Sequence, residues 1–217
     1  MRILGIDEAG RGPVIGPLVV AGVLAGDQEE LRRLGVRDSK ALSRQRRTGL
    51  APKIAQIAQV RSISVPADKL EENLNDIELQ ALAELIAELE PDLVYFDVPA
   101  PPRGVKRFCQ RLQELIGPKP KLIGENHADQ RWPIVSAASI IAKVRRDEEV
   151  LKLHKKYGDF GWGYPSERKT REFLERWYRD REHGEFPPCV RRKWKTAKRL
   201  LEGKQSAVSI QQKQTLT

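Results

Sequence analysis

Two apolar runs open the chain, Arg2–Ile6 and Gly16–Leu24. The second is rich in β-branched residues, and the stretch AGRGPVI between them is rich in glycine and proline, so the pair reads as a β-hairpin. Val60–Val65, Leu93–Phe96 and Lys121–Ile123 are three further strand candidates. Between the third and fourth strands, Ile77, Leu79, Leu82, Leu85, Ile86 and Leu89 recur at helical spacing, and Pro91 closes that helix. Arg103–Ile116 is an amphipathic helix ended by Gly117-Pro118. Ala137–Lys155 is a long helix, apolar at first and charged later, and Glu167–Arg181 and Arg192–Leu201 are helices separated by the turn-rich HGEFPP. Strands with intervening helices followed by helices alone predict an α/β sheet layer with a helical C-terminal region. From about Gly203 the chain is polar and glutamine-rich and is read as a disordered tail.

The length of 217 residues allows one substantial domain with a small appendage. No run approaches the about 20 apolar residues that span a bilayer, and Met1 leads directly into an apolar run rather than a signal peptide. Two cysteines, Cys109 and Cys189, make no disulfide framework, so a reducing cytoplasm is expected; the chain is also expected to be a monomer that does not associate with membranes.

Charge divides the chain. Up to position 130 there are 18 basic and 19 acidic residues; beyond it there are 21 and 11. Within the basic part, Arg191, Arg192, Lys193, Lys195, Lys198 and Arg199 surround Trp194. Such a stripe is the footprint of phosphate neutralisation, and equally the composition of a solvated helix face.

Acids recur at the ends of strand candidates. Asp7 and Glu8 follow the first run, Asp97 follows the fourth, and Asp129 lies between the fifth and the long helix. Any one of them alone reads as a turn or cap residue. If the first and fourth strands are parallel neighbours, however, Asp7 and Asp97 meet at the carboxyl edge of the sheet, where open α/β sheets build their sites. Four converging carboxylates repel one another unless hard divalent cations lie among them, and two such ions can activate a water and stabilise a leaving oxygen in phosphodiester hydrolysis. His127, His154 and His183 are scattered and show no zinc-ligand spacing.

GIDEAGRGPVIGPLVVAGV, the DSK of Asp38–Lys40, VYFDVPAP, HADQRWPIVSAASIIAKVRRDEE and GDFGWGYPSE, in that order, resemble ribonuclease HII, the type 2 ribonuclease H, most nearly the archaeal single-chain form. The resemblance runs from residue 3 to about residue 199. It implies a ribonuclease H-like fold with a five-stranded mixed sheet flanked by helices, and a division into a catalytic domain over 1–155, a helical substrate-binding region over 156–202 and a tail over 203–217. It implies cleavage of the RNA strand of RNA–DNA hybrids, and of duplex DNA at embedded ribonucleotides, with Mg²⁺ or Mn²⁺, leaving 3′-hydroxyl and 5′-phosphate ends.

Asp7, Glu8, Asp97 and Asp129 match the family's metal-binding, catalytic carboxylates. Gly10, Arg11 and Gly12 match its GRG motif, whose backbone can approach a 2′-hydroxyl closely, and Arg11 can bind a phosphate. Tyr164 matches the tyrosine that reads the RNA-to-DNA junction, and Lys40 and Lys143 match lysines near the scissile region. Arg192, Lys193 and Lys195 are the substrate-binding candidates of the basic stripe. Ser136, Ser139, Ala137 and Ala138 are read as close helix-to-sheet packing. His127 stands where relatives commonly carry lysine, a surface position or a phosphate contact.

The tail QQKQTLT has no terminal aromatic and Lys213 where a sliding-clamp peptide carries glutamine. It is compatible with a degenerate or truncated clamp peptide, but a disordered end is the preferred reading. Two other readings stay open: a non-catalytic hybrid-binding module, and a DNA-specific nuclease of the same broad fold.

Overall fold

The computed structural model describes residues 1–36, 42–71, 73–179 and 186–199. The residues fall into two compact units. The first comprises the described residues of Met1–Arg11, Leu18–Val65 and Glu72–Glu148; the second comprises Gly12–Pro17, Pro66–Glu71 and the described residues from Glu149 onward.

The first unit is built on a five-stranded mixed sheet in the order β3-β2-β1-β4-β5. Its strands are β1 (Ile3–Ala9), β2 (Leu18–Ala25), β3 (Gln59–Val65), β4 (Leu93–Asp97) and β5 (Lys121–Glu125). β1 and β2 form the expected antiparallel pair, and β3 adds antiparallel to β2. β4 lies parallel to β1, and β5 parallel to β4. The parallel pairs need crossovers, supplied by α3 (Leu74–Leu89) before β4 and α4 (Val105–Ile116) before β5. Burial follows position in the sheet: β1 and β2 are buried almost throughout, as central strands covered on both faces must be. β3 at the edge is mostly exposed and carries Arg61, a charge that discourages edge pairing.

Helices lie on both faces. On one, Ile3, Ala21, Val23 and Tyr95 pack with Ile134, Ala137, Ala138 and Ile141 of α6 (Pro133–Tyr157), and with Leu50 and Ile54 of α2 (Arg44–Ile57). The approach is close: a Cβ on Gly5 would fall 2.3 Å from the Ile134 carbonyl oxygen. On the other face, Leu4 lies with Leu85 and Leu89 of α3 around Gly22.

Three elements were not anticipated: α1 (Glu29–Arg33), α2, and α5 (Ala128–Arg131). α1 and α5 are too short to show a period, and α2 is polar with Pro52 inside it, so its buried stripe reduces to Leu50 and Ile54.

The second unit has its own core of Val14, Ile15, Val150, Phe160, Phe173, Leu174, Phe186 and Val190. α7 (Arg168–Arg179) contributes Phe173 and Leu174 to it, and Lys195–Arg199 are helical. No helix among the described residues is long and apolar enough to cross a membrane.

Candidate active site

The parallel register of β1 and β4 pairs Ile6 with Phe96, so Asp7 and Asp97 are the next residues on adjacent strands at one sheet edge. One expectation is corrected here. Asp7 and Glu8 do not follow a strand; they lie within β1, which stays paired with β2 through Asp7–Ala21, Glu8–Val20 and Ala9–Val19. The acids therefore sit where β1 has lost β4 but keeps β2, on a backbone held from one side.

Asp97 accepts a hydrogen bond from the Ala128 backbone N–H at 3.0 Å, which ties β4 to α5 and brings Asp129 to the same edge. Asn126 reinforces that link by donating to the Val98 and Ala100 carbonyls at 2.8 and 2.7 Å. His127, just before α5, is exposed and holds a left-handed φ of 59°.

Asp7 is only 6% exposed and Asp129 3%. Asp7 accepts from the Glu8 backbone N–H at 2.8 Å and is hydrogen-bonded to Ser139 of α6. Burial holds the Asp7 carboxyl well above its ordinary value, and the neighbouring Glu8 and Asp97 charges add to the rise against Lys143 and Ser139. Burial likewise raises Glu8, opposed first by the Arg11 charge. Lys143, one turn beyond Ser139, donates to its hydroxyl at 2.6 Å.

Among the described residues, no three His, Cys, Asp or Glu side chains stand close enough together to hold an ion as they are. The donor chemistry is nonetheless that of a hard cation site: anionic oxygens, poorly solvated and mutually repelling. A divalent ion would offset the burial and like-charge repulsion that together favour protonation of Asp7.

Of the residues matched to substrate binding, Gly10 closes β1 with φ 101°, a conformation that glycine adopts without strain. Arg11 donates through its guanidinium to Glu78, and at 2.9 Å to the Asn75 side-chain oxygen, both on α3. In the second unit, Gly12 lies beside Tyr164: a Cβ there would be 3.9 Å from the tyrosine ring. Tyr164 is 41% exposed. Its neighbour Gly163 has φ 84°, and its carbonyl accepts from the Val14 and Ile15 N–H groups at 2.8 and 3.3 Å. Arg192, Lys193 and Lys195 are exposed. Lys40 and the tail lie outside the described residues.

The basic stripe loses one member. Arg191 does not face solvent: it is 1% exposed, and its Nε and Nη2 both donate to the Gly16 carbonyl at 3.0 and 2.9 Å. It stacks 4.9 Å from the Trp194 ring centre. A run of cations reads as one stripe in sequence, but successive residues of a turn point in different directions, and this one points inward.

The model of the family described as Ribonuclease HII matches residues 4–197. Ribonuclease HII of Archaeoglobus fulgidus is 44% identical over 201 residues, 90% of this chain and 95% of that one. Its counterpart from Pyrococcus furiosus is 45% identical over 210 residues, 93% of this chain and 92% of the other. The chain belongs to the ribonuclease HII family. Among solved structures, ribonuclease H2 of Pyrococcus horikoshii superposes with a TM-score of 0.84 at 40% identity, covering 93% of this chain and 98% of that one. The PCNA:RNase HII complex from A. fulgidus gives 0.83 at 43%, covering 90% and 96%. These neighbours carry the ribonuclease H-like fold expected above. Family membership makes the protein a ribonuclease H, an endonuclease acting on the RNA of RNA–DNA hybrids.

Two residues have roles that their sequence context does not announce. Ser139, taken as packing, is a hydrogen-bond partner of Asp7. Glu78 is fully buried on α3, on the stripe that Leu82, Leu85 and Leu89 continue. Its signal was available: a carboxylate at a core position of an amphipathic helix. That Arg11 meets it across 67 residues of sequence was not.

Proposed function

We propose that Asp7, Glu8, Asp97 and Asp129 hold divalent cations, Mg²⁺ or Mn²⁺, and that the enzyme cuts at single ribonucleotides embedded in duplex DNA as well as in longer hybrids. The observation carrying this reading is the parallel β1–β4 register that puts Asp7 and Asp97 on adjacent strands at one edge. Bound cations would activate a water for attack on the phosphodiester and stabilise the departing 3′-oxygen, giving 3′-hydroxyl and 5′-phosphate ends. A related RNase HIII structure was solved with Mn²⁺.

The protein's own groups have separable tasks. The acids fix the cations; Lys143, whose charge is felt by Asp7 and Glu8, limits the negative field when no cation is present. Gly10, Arg11 and Gly12 approach the ribose, where the 2′-hydroxyl distinguishes RNA from DNA. Tyr164 offers a ring to the sugar at the junction, and Lys40, Arg192, Lys193 and Lys195 neutralise phosphates. Catalysis is assigned to the 1–155 part and grip to 156–202. The A. fulgidus relative was solved with PCNA, so a sliding clamp is a candidate partner here, with the tail as the candidate segment. The two free thiols suit a reducing cytoplasm.

The test is cleavage of duplex DNA carrying one ribonucleotide, with Mg²⁺ or Mn²⁺ and with EDTA. A single metal-dependent cut beside the ribonucleotide is expected. No cut there, together with efficient cutting of an all-DNA duplex, overturns the proposal.

A further inference from the structure

Glu78 is a charged side chain in an apolar place. The other buried positions of α3 are Leu79, Ala81, Leu82, Leu85, Ile86 and Leu89, and Glu78 itself is 0% exposed. Its Oε2 takes the Arg11 guanidinium, while Oε1 is buried and accepts nothing from the described residues. Burying such a pair gains little stability over apolar packing, because both charges give up their hydration. What it fixes is geometry. Arg11 also reaches Asn75, one turn earlier on α3, so two acceptors on a single helix face grip one guanidinium. That face is anchored in turn, since the Asn73 side chain caps the helix by accepting from the Asn75 N–H at 3.1 Å. At the other end of the tether, Arg11 directly follows Gly10, whose positive φ is a turn conformation at the end of β1.

We propose that Glu78 is a positioning residue for the Gly10–Arg11 turn, holding it through the Arg11 guanidinium in the form that accepts a ribonucleotide. This rests on the reading of that turn as the ribose-recognising element. Glu78 touches no substrate; it acts through Arg11 alone.

A double-mutant cycle of Glu78→Gln and Arg11→Ala decides it, read on the one-ribonucleotide duplex. Glu78→Gln keeps shape and removes charge. It raises KM about tenfold, the scale of one charged hydrogen bond, with kcat at saturation changed by less than about twofold. In the Arg11→Ala background the same substitution adds nothing. A second reading is binding of the uncleaved duplex in EDTA, where Glu78→Gln weakens affinity by the same factor in the parent and has no effect in Arg11→Ala. An unchanged KM and affinity in Glu78→Gln overturns the inference, as does an equal effect in both backgrounds, which marks a general loss of folding. Failure of the parent protein to cleave beside the ribonucleotide strikes the functional proposal instead, and the binding cycle in EDTA still decides Glu78.

Discussion

Charge is buried in both units, but in different company. In the first, Asp7 is buried beside Glu8 and Asp97, and burial together with like charge drives it toward its protonated form. In the second, Arg191 is buried against a neutral carbonyl and an aromatic ring, and both of the donors that reach Gly16 are satisfied. The acids are left in an electrostatic situation that a cation would relieve; the arginine is left in one that needs nothing more. Frustrated charge marks chemistry, and satisfied charge marks scaffolding. Glu78 and Arg11 stand between these cases, a buried carboxylate with one oxygen paired to a guanidinium on the turn after β1.

The contrast breaks most sharply at Asp97. Asp97→Asn lowers turnover by about a thousandfold or more, as expected of a group acting on the reacting atoms, while hybrid binding by fluorescence anisotropy persists. Undiminished turnover removes Asp97 from the site.

On the scaffolding side, Gly163→Ala has the largest effect. Its Cβ would sit 2.3 Å from the Ile15 carbonyl oxygen at a φ of 84°. A stability loss of about 3 kcal/mol is expected in urea unfolding, with blurred cleavage at the RNA–DNA junction because Tyr164 is the next residue. Arg191→Met follows at about 2 kcal/mol, since the Gly16 carbonyl loses both donors. It leaves the salt dependence of hybrid binding unchanged, which separates this arginine from the exposed cations around it.

Asp7 provides the opposite sign. A carboxyl raised by burial binds its proton more tightly folded than unfolded, so its contribution is present below the ordinary value of 3.8 and is lost as pH climbs through the raised one. In EDTA, stability should therefore decline as pH rises above about 4 across this range, and Asp7→Asn should flatten the decline and stabilise the protein near neutrality. Saturating Mn²⁺ should restore the parent and leave the variant little changed. A flat profile in the parent places Asp7 among the satisfied charges. The smallest effect is at the surface: Lys193→Ala with Lys195→Ala reduces the slope of log affinity against log salt by about two if both touch phosphate.

The hydrophobic pattern carried most of the architecture. β-branched runs, the helical period from Ile77 to Leu89 and the Gly117-Pro118 stop correspond to β2, α3 and the end of α4, because these elements are long enough for periodicity to outweigh local noise. α1 and α5 span five and four residues, shorter than two turns, and no period exists to read. The C-terminal end of β1 lies beyond the apolar run for a related reason. Two acids look like the end of a strand, yet the ladder to β2 continues through them, and that depends on a partner strand rather than on the residues themselves.

For the site, each acid alone is an ordinary turn residue in the sequence, and it is the order of the motifs around Asp7, Glu8, Asp97 and Asp129 that makes them candidates. Whether Asp7 and Asp97 share a sheet edge depends on strand direction, which the parallel pairing of β1 with β4 decides. The same holds for the cations. Sequence counts charges without their directions, so Arg191 and Arg192 look alike, whereas packing turns the first inward to a carbonyl and leaves the second at the surface. Long-range pairs such as Arg11 with Glu78 have no signature along the chain, because the interaction exists only once α3 has crossed the sheet and brought its buried face to the end of β1.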